Sequence, residues 1–409
     1  MSDRTGSPAL KSKWRIIAVL CLAELLGMSV WFSATAVVPA LIASWKLTGA
    51  DVAWLTMSVQ IGFVIGTFGS SLLNLADYFS GQRLFAVSSF LASIATAMIA
   101  LIATDVTMAW LLRFLTGMFL AGVYPVGMKI MATWTRQDRG LGIGLLVGAL
   151  TVGSATPHLL TVLDGVAEWK SVLYFSAGLG ALGGAATFFF VKEGPYRSAL
   201  PKVNWKYAIE VVRQRELALA NLGYLGHMWE LYAMWAWLPV FLLSSFQLVS
   251  VSPVWAGVVA FAAIAAGGLG SVLAGFLADR YGRTTITIVS MLVSGTCALL
   301  VGVFYGGSPG VLAFICLIWG FAIVADSAQF SACVSELCQA EYVGTALTLQ
   351  TCLGFLLTMV TIRFIPTVVD WVSWRWAFAF LSIGPFAGVW AMYSLRRLPA
   401  ASRLANGNR

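Results

Sequence analysis

The sequence predicts an all-α integral membrane protein of twelve transmembrane helices arranged as two pseudo-symmetric halves of six, and three observations predict it. Of its 409 residues, 59% are hydrophobic and 10% are charged, against roughly 25% charged in an ordinary soluble domain. Apolar runs of about 20 residues, the length that crosses a hydrocarbon core of about 30 Å, recur along almost the whole chain. The second half also echoes the first: Glu24 and Glu230, Trp54 and Trp255, Gly117 and Gly320, and the pairs Trp169-Lys170 and Trp374-Arg375 stand 201 to 206 residues apart. The runs are too long for the roughly 10-residue strands of a membrane barrel and lack their period of two.

Taken in order, the first span (15–40) follows Lys11, Lys13 and Arg15 and is too long for the core of a cleavable signal, so it is expected to remain as helix one. Glu24 lies about ten residues in, about 15 Å deep at 1.5 Å per residue, near the bilayer middle. The second span (52–74) runs into LNLADYFSGQR, and the third covers 84–104. The fourth (107–134) contains RFLTGMFLAG, with Arg113 at its head, and Lys129 near its end, where it reaches the headgroups or an anion. The fifth (140–163) repeats glycine at 140, 144 and 148, a spacing that lets helices approach closely, and carries His158. The sixth is 169–191.

A long polar break, KEGPYRSALPKVNWKYAIEVVRQRE (192–216), reads as a linker. The seventh span (217–244) carries His227 and Glu230, and the eighth (253–277) runs into GFLADRYGRTT. The ninth is 284–305, the tenth (309–335) holds Asp326, the eleventh (342–367) holds Arg363, and the twelfth is 371–395. The expected organisation is therefore a bundle at 1–191, a linker at 192–216, a bundle at 217–395 and a tail at 396–409. Trp14, Trp54 and Trp371 at span ends read as interface anchors. The six cysteines lack metal spacing and read as free thiols, and no metal or other cofactor is implied.

The net charge of +8 does not point to nucleic acid, because of where the cations fall. With the N-terminus inside, tails and inward loops carry 20 of the 25 Lys and Arg residues, and only Lys46, Arg113, Lys170, Arg363 and Arg375 lie elsewhere. The positive-inside rule then places both termini in the cytoplasm, with the chain as a multi-pass protein of a bacterial inner membrane.

The two loops after the second and eighth spans both put an aspartate after Leu-Ala, where it can cap a neighbouring helix N-terminus and pair with arginine. GFLADRYGR, with Gly275, Asp279, Arg280, Gly282 and Arg283, resembles the signature loop of the major facilitator superfamily of secondary transporters. The first-half copy, with Asp77 and Arg83, is worn: Leu73 stands at the glycine position, Tyr78 replaces a basic residue, and Gly81 is displaced by one. RFLTGMFLAG resembles the family's fourth-helix motif through Arg113 and Gly117. GLGIGLLVGALTVGSATPHLL (140–160) is partly similar to its exporter motif through Gly148, Gly153 and Pro157. The resemblance implies alternating access and assigns a gating role to the two loops.

Glu24, Met28 and Trp31 fall on one helical stripe, as do Glu230, Met234 and Trp237. Each stripe offers a carboxylate, a thioether and an indole, suited to a flat or cationic solute, and the carboxylate can also carry a proton. A mid-membrane acid is costly, by at least about 2.5 kcal/mol, unless neutral, paired or facing a watery cavity. Helix–helix hydrogen bonding is the structural alternative for both acids. His227 lies one turn before Glu230 and is a candidate partner for it. Arg113 is either a fixed ion pair or a group that holds an anion or steers a proton. Asp326 is either structural or part of a proton relay. His158 and Arg363 fall at matched places and are candidates for an outer gate, with snorkelling as the other reading of Arg363.

No phosphate-binding glycine loop, His-Glu-x-x-His run or Gly-x-Ser-x-Gly elbow occurs, so neither an ATP engine nor an enzyme is indicated. The expectation is a monomeric, proton-coupled secondary carrier of a small organic solute, with efflux favoured over uptake. A solute-binding membrane sensor and an organic-anion uptake permease are the alternatives.

Overall fold

The structure, a computed structural model, describes residues 8–73, 75–135, 139–163, 169–196, 213–339 and 342–408. It is all-helical over these residues. The first pass is cut into α1 (Pro8–Met28), α2 (Ser33–Ala36) and α3 (Val38–Trp45). The second is α4 (Gly49–Leu72), started by a reciprocal cap in which Thr48 and Asp51 satisfy each other's free backbone amides. A short α5 (Leu75–Tyr78) leads to the third pass, α6 (Gly81–Ile102). The fourth breaks into α7 (Val106–Leu120), capped by Asp105, and α8 (Tyr124–Trp134). The fifth and sixth are α9 (Arg139–Leu163) and α10 (Trp169–Phe190).

The second half repeats the plan. The seventh to ninth passes are α11 (Arg215–Leu248), α12 (Val254–Tyr281) and α13 (Arg283–Leu300). The tenth breaks at Asp326 into α14 (Pro309–Ala325) and α15 (Ser327–Leu337), as the fourth does. Among the described residues ten helices are long and apolar enough to cross a membrane. The last of these, spanning 343–396, supplies two passes: α16 (Val343–Ala377) is broken at Ser373 (φ 60°, ψ 172°), and α17 (Ile383–Arg396) returns. With the interrupted first pass, this is the expected twelve. Twelve passes return the chain to the side on which it starts, called the terminal end below.

The internal repeat is visible in contacts as well as in sequence. A Cβ on Gly117 would lie 1.9 Å from the Val59 carbonyl oxygen, and one on Gly320 would lie 1.8 Å from that of Ala263. Two turns along the second and eighth passes, Gly66 meets the Met118 carbonyl at 2.4 Å and Gly270 meets that of Phe321 at 2.1 Å by the same measure. Within a membrane, helices associate through such close backbone approach, because lipid offers no hydrophobic drive. The fourth pass therefore packs on the second as the tenth packs on the eighth.

The halves meet along two seams. In one, α9 runs against α12: Gly144 faces the Ser271 carbonyl, Gly148 that of Gly268, and Gly275 that of Gly140, each 3.0 Å from a built Cβ. In the other, α4 runs against α16, from Gly49 beside Pro366 at the far end to Phe63 against Phe355, with ring centroids 4.7 Å apart.

Gly282 links α12 to α13 with φ 93°, a conformation that a side chain would strain. Arg283, thus placed, donates to both carboxylate oxygens of Glu336 (2.8 and 2.6 Å) and to Gln329 Oε1 (2.8 Å), and lies 3.4 Å from Asp279. The tail joins this cluster: the Ala405 amide donates to Glu336 and the Asn408 side chain to the Asp279 carbonyl, each at 3.0 Å.

Candidate functional site

The two repeated acids end up in different surroundings. Glu230 is buried and accepts from Ser294 Oγ of α13 at 2.9 Å and from Trp319 Nε1 of α14 at 2.6 Å. Glu24 is also buried, but neither carboxylate oxygen has a hydrogen-bond partner. It lies against α8, where a Cβ on Gly127 would be 2.7 Å from Glu24 Oε2. Ser89, the first-half counterpart of Ser294, donates instead to the Gly180 carbonyl, and Thr116 stands where the tenth pass has Trp319. Glu230 is thus tied by two donors that Glu24 lacks.

The first pass breaks just beyond Glu24. The carbonyls freed there are taken by Arg113, which is buried and donates to Val30 O at 2.9 Å, to Trp31 O and to Leu55 O at 3.3 Å, with Ser33 Oγ at 3.5 Å. A guanidinium suits this task because it offers five donors in a rigid fork and stays charged. No carboxylate lies within ion-pair distance of it among the described residues. Trp31 is held by this break against Phe63, Tyr232 and Phe355, at centroid distances of 5.1, 5.9 and 5.7 Å.

The two expected stripes do not superpose. The seventh pass is continuous where the first is broken, so Trp31, which lies in the break, is re-aimed relative to Trp237, while Met28 still closes α1. Met28, Trp31, Met234 and Trp237 are all buried, but Trp237 turns into its own half, donating to Ile362 O at 3.0 Å and stacking near Trp374. The residues of α11 that face the first half are Tyr232 and Trp235, which contact Trp31 and Phe32.

His227 does not pair with Glu230. Its Nδ1 lies 2.9 Å from Asp326 Oδ1, at the break of the tenth pass, and its ring sits between Tyr224 and Phe330. The i, i+3 spacing gave the wrong partner because the break in a distant helix presents a closer acid. The structure thereby assembles His227 with Asp326, both buried.

At the terminal end, Asp279 presses on the first turn of α9, with Oδ2 2.7 Å from a Cβ built on Gly140. A carboxylate at a helix N-terminus is favourably placed. Arg280 is exposed with its guanidinium over Tyr281, and Arg83 is exposed. Asp77 falls in α5, and its side chain lies outside the described residues. At the far end, buried His158 lines a cleft with about 80 Å³ of free space between α3, α9, α11 and α12, whereas Arg363 is exposed and outside it. The two do not form a pair there.

Sequence reasoning missed Ser294, Trp319, Tyr232, Trp235 and Glu336. Ser294 and Ser89 do share the repeat spacing, a signal that was present. Glu336 sits at a span end without a motif, and nothing in the sequence marks it.

Comparison with known proteins matches residues 20–362 to the Major Facilitator Superfamily. Among curated relatives, the chain is 24% identical to a probable sulfoacetate transporter, SauU, of Cupriavidus necator, over 67% of each chain. It is 23% identical to the 4-hydroxybenzoate transporter PcaK of Pseudomonas putida, over 77% of each chain. Among solved structures, the nucleoside transporter NupG, in a point-mutant form, matches with a TM-score of 0.71 at 16% identity, over 93% of this chain and 99% of that one.

Proposed function

The chain belongs to the Major Facilitator Superfamily, a membrane transporter moving a small solute, and on that premise we propose a proton-coupled carrier in which Glu24 is the proton site. One observation carries this reading: Glu24 is buried near the middle of the first pass with both carboxylate oxygens unpartnered, while Glu230 is tied by Ser294 and Trp319. A proton on Glu24 removes its charge, and with it the cost of closing the protein around that charge. Because a ligand biases an equilibrium only through unequal affinity for its states, this makes the proton a switch between them. The bundles at 1–191 and 217–395 are the moving bodies, the protein acts as a monomer, and the terminal end is cytoplasmic in a bacterial inner membrane.

Direction follows from whether proton and solute travel together. The partial motif at 140–160 leans towards export, but Gly148 and Gly153 are accounted for by backbone contacts with Gly268 and Leu25. The names of the relatives, sulfoacetate and 4-hydroxybenzoate transporters, favour a second reading, proton symport of an organic anion into the cell.

The test is reconstitution into liposomes loaded with a pH dye, challenged with sulfoacetate, 4-hydroxybenzoate, organic cations and neutral solutes. Internal acidification above that of protein-free liposomes, lost in Glu24→Gln, is the expected symport result, and solute-driven alkalinisation identifies antiport. Solute flux with no proton movement in either direction contradicts the coupling. Binding without flux identifies a sensor.

A further inference from the structure

Four described tryptophans are buried: Trp31, Trp235, Trp237 and Trp319. An indole N–H is a donor only, so a buried one needs an acceptor. Trp237 has Ile362 O, and Trp319 has Glu230. Even the part-buried Trp110, Trp134 and Trp229 reach carbonyl oxygens. Trp31 and Trp235 reach none. These two, one from each half, flank the same residue, with ring centroids 5.9 and 5.4 Å from that of Tyr232.

Around them the rings of Phe63, Tyr232 and Phe355 touch across the seam, with Tyr232 and Phe355 centroids 5.0 Å apart. Gln60, one turn from Phe63, is held to Thr358 by one end of its amide at 2.6 Å, and the other end is unpartnered. An unsatisfied buried polar group in a native structure calls for an explanation. Here two such indole donors, one on each half, border a single aromatic cluster joined through Tyr232.

We propose that Trp31 and Trp235 form a binding site, between the halves, for a planar organic carboxylate: the rings sandwich its flat body and the two indole N–H groups donate to its carboxylate oxygens. The inference deepens the carrier reading, on which it rests for the passage of a solute between the halves. Since each half supplies one donor, the ligand gains both bonds in only one arrangement of the halves, and its affinity differs between states as a transported solute's must. Bound cations would use the same ring faces but would leave both donors unpaired.

The test uses the full chain in lipid nanodiscs, with benzoate, benzamide and benzylamine as probes under calorimetry. Benzoate is expected to bind most tightly. Trp31→Phe and Trp235→Phe, which keep a ring but remove the N–H, are each expected to weaken benzoate about tenfold, as loss of a hydrogen bond to a charged group implies, with a smaller effect on benzamide. Independently of any folding defect in these variants, wild-type protein carrying 5-fluorotryptophan is expected to show benzoate shifting the two fluorine resonances assigned to Trp31 and Trp235. Preference for benzylamine, unmoved resonances, or absence of benzoate binding at millimolar concentration overturns the proposal. No gradient is involved, so failure here leaves the liposome acidification result standing, and failure of Glu24→Gln to uncouple leaves benzoate binding standing.

Discussion

Glu24 and Glu230 share depth, burial and flanking residues, yet only one has donors. Removing Glu230 strands Trp319 Nε1 and leaves Ser294 Oγ with only the Met291 carbonyl at 3.3 Å, and an unpaired buried group costs about 1–3 kcal/mol. Glu230→Ala is therefore expected to lower the melting temperature in detergent clearly more than Glu24→Ala, and equal losses would contradict the asymmetry. Arg113 carries a comparable structural load. Lysine lacks the planar fork and cannot serve the Val30, Trp31 and Leu55 carbonyls together, so Arg113→Lys is expected to destabilise by about 2 kcal/mol or more in the same assay. The acids and the arginine were legible in the sequence because an ionisable group within an apolar run stands out. Their partners were not, because Ser294, Trp319 and the Val30 carbonyl lie far along the chain and are ordinary residues or backbone.

Among the helices, the glycine contacts make the most direct prediction. Gly117→Ala and Gly320→Ala each drive a methyl group into a backbone carbonyl, and overpacking of this kind costs about 1–3 kcal/mol; both variants are expected to melt earlier, by similar amounts if the repeat is as symmetric as its contacts. At the terminal end, Asp279 touches the first turn of α9 across the seam, so Asp279→Asn is expected to slow solute exchange more than Asp77→Asn. Equal or reversed slowing counts against the second-half loop as the working latch. Long apolar runs revealed the passes, and the doubled Leu-Ala-Asp revealed the loops. The break at 121–123 is marked by Gly122 and by Pro125 in the first turn of α8, whereas those at 29–32 and 326 were hidden, because nothing local forbids a helix there and, at 29–32, a tertiary partner, Arg113, stabilises the interruption. That hidden break is why the matched stripes diverge: it turns Trp31 to the seam, while the unbroken α11 sends Tyr232 and Trp235 there instead of Trp237.

For the whole molecule, the two halves are joined by a glycine-lined seam, α9 on α12, and by an aromatic one, α4 on α16. The first permits sliding of smooth surfaces and the second supplies the walls of the proposed solute site. In the proposed account, protonation of Glu24 sets which arrangement is favoured. The measurement that tests this most directly compares two fluxes of the same labelled solute in liposomes carrying Glu24→Gln: exchange at equal internal and external concentrations, and accumulation driven by a pH gradient. With the proton site fixed neutral, exchange is expected to persist near the wild-type rate while pH-driven accumulation disappears. Accumulation retained at the wild-type level would contradict Glu24 as the coupling residue.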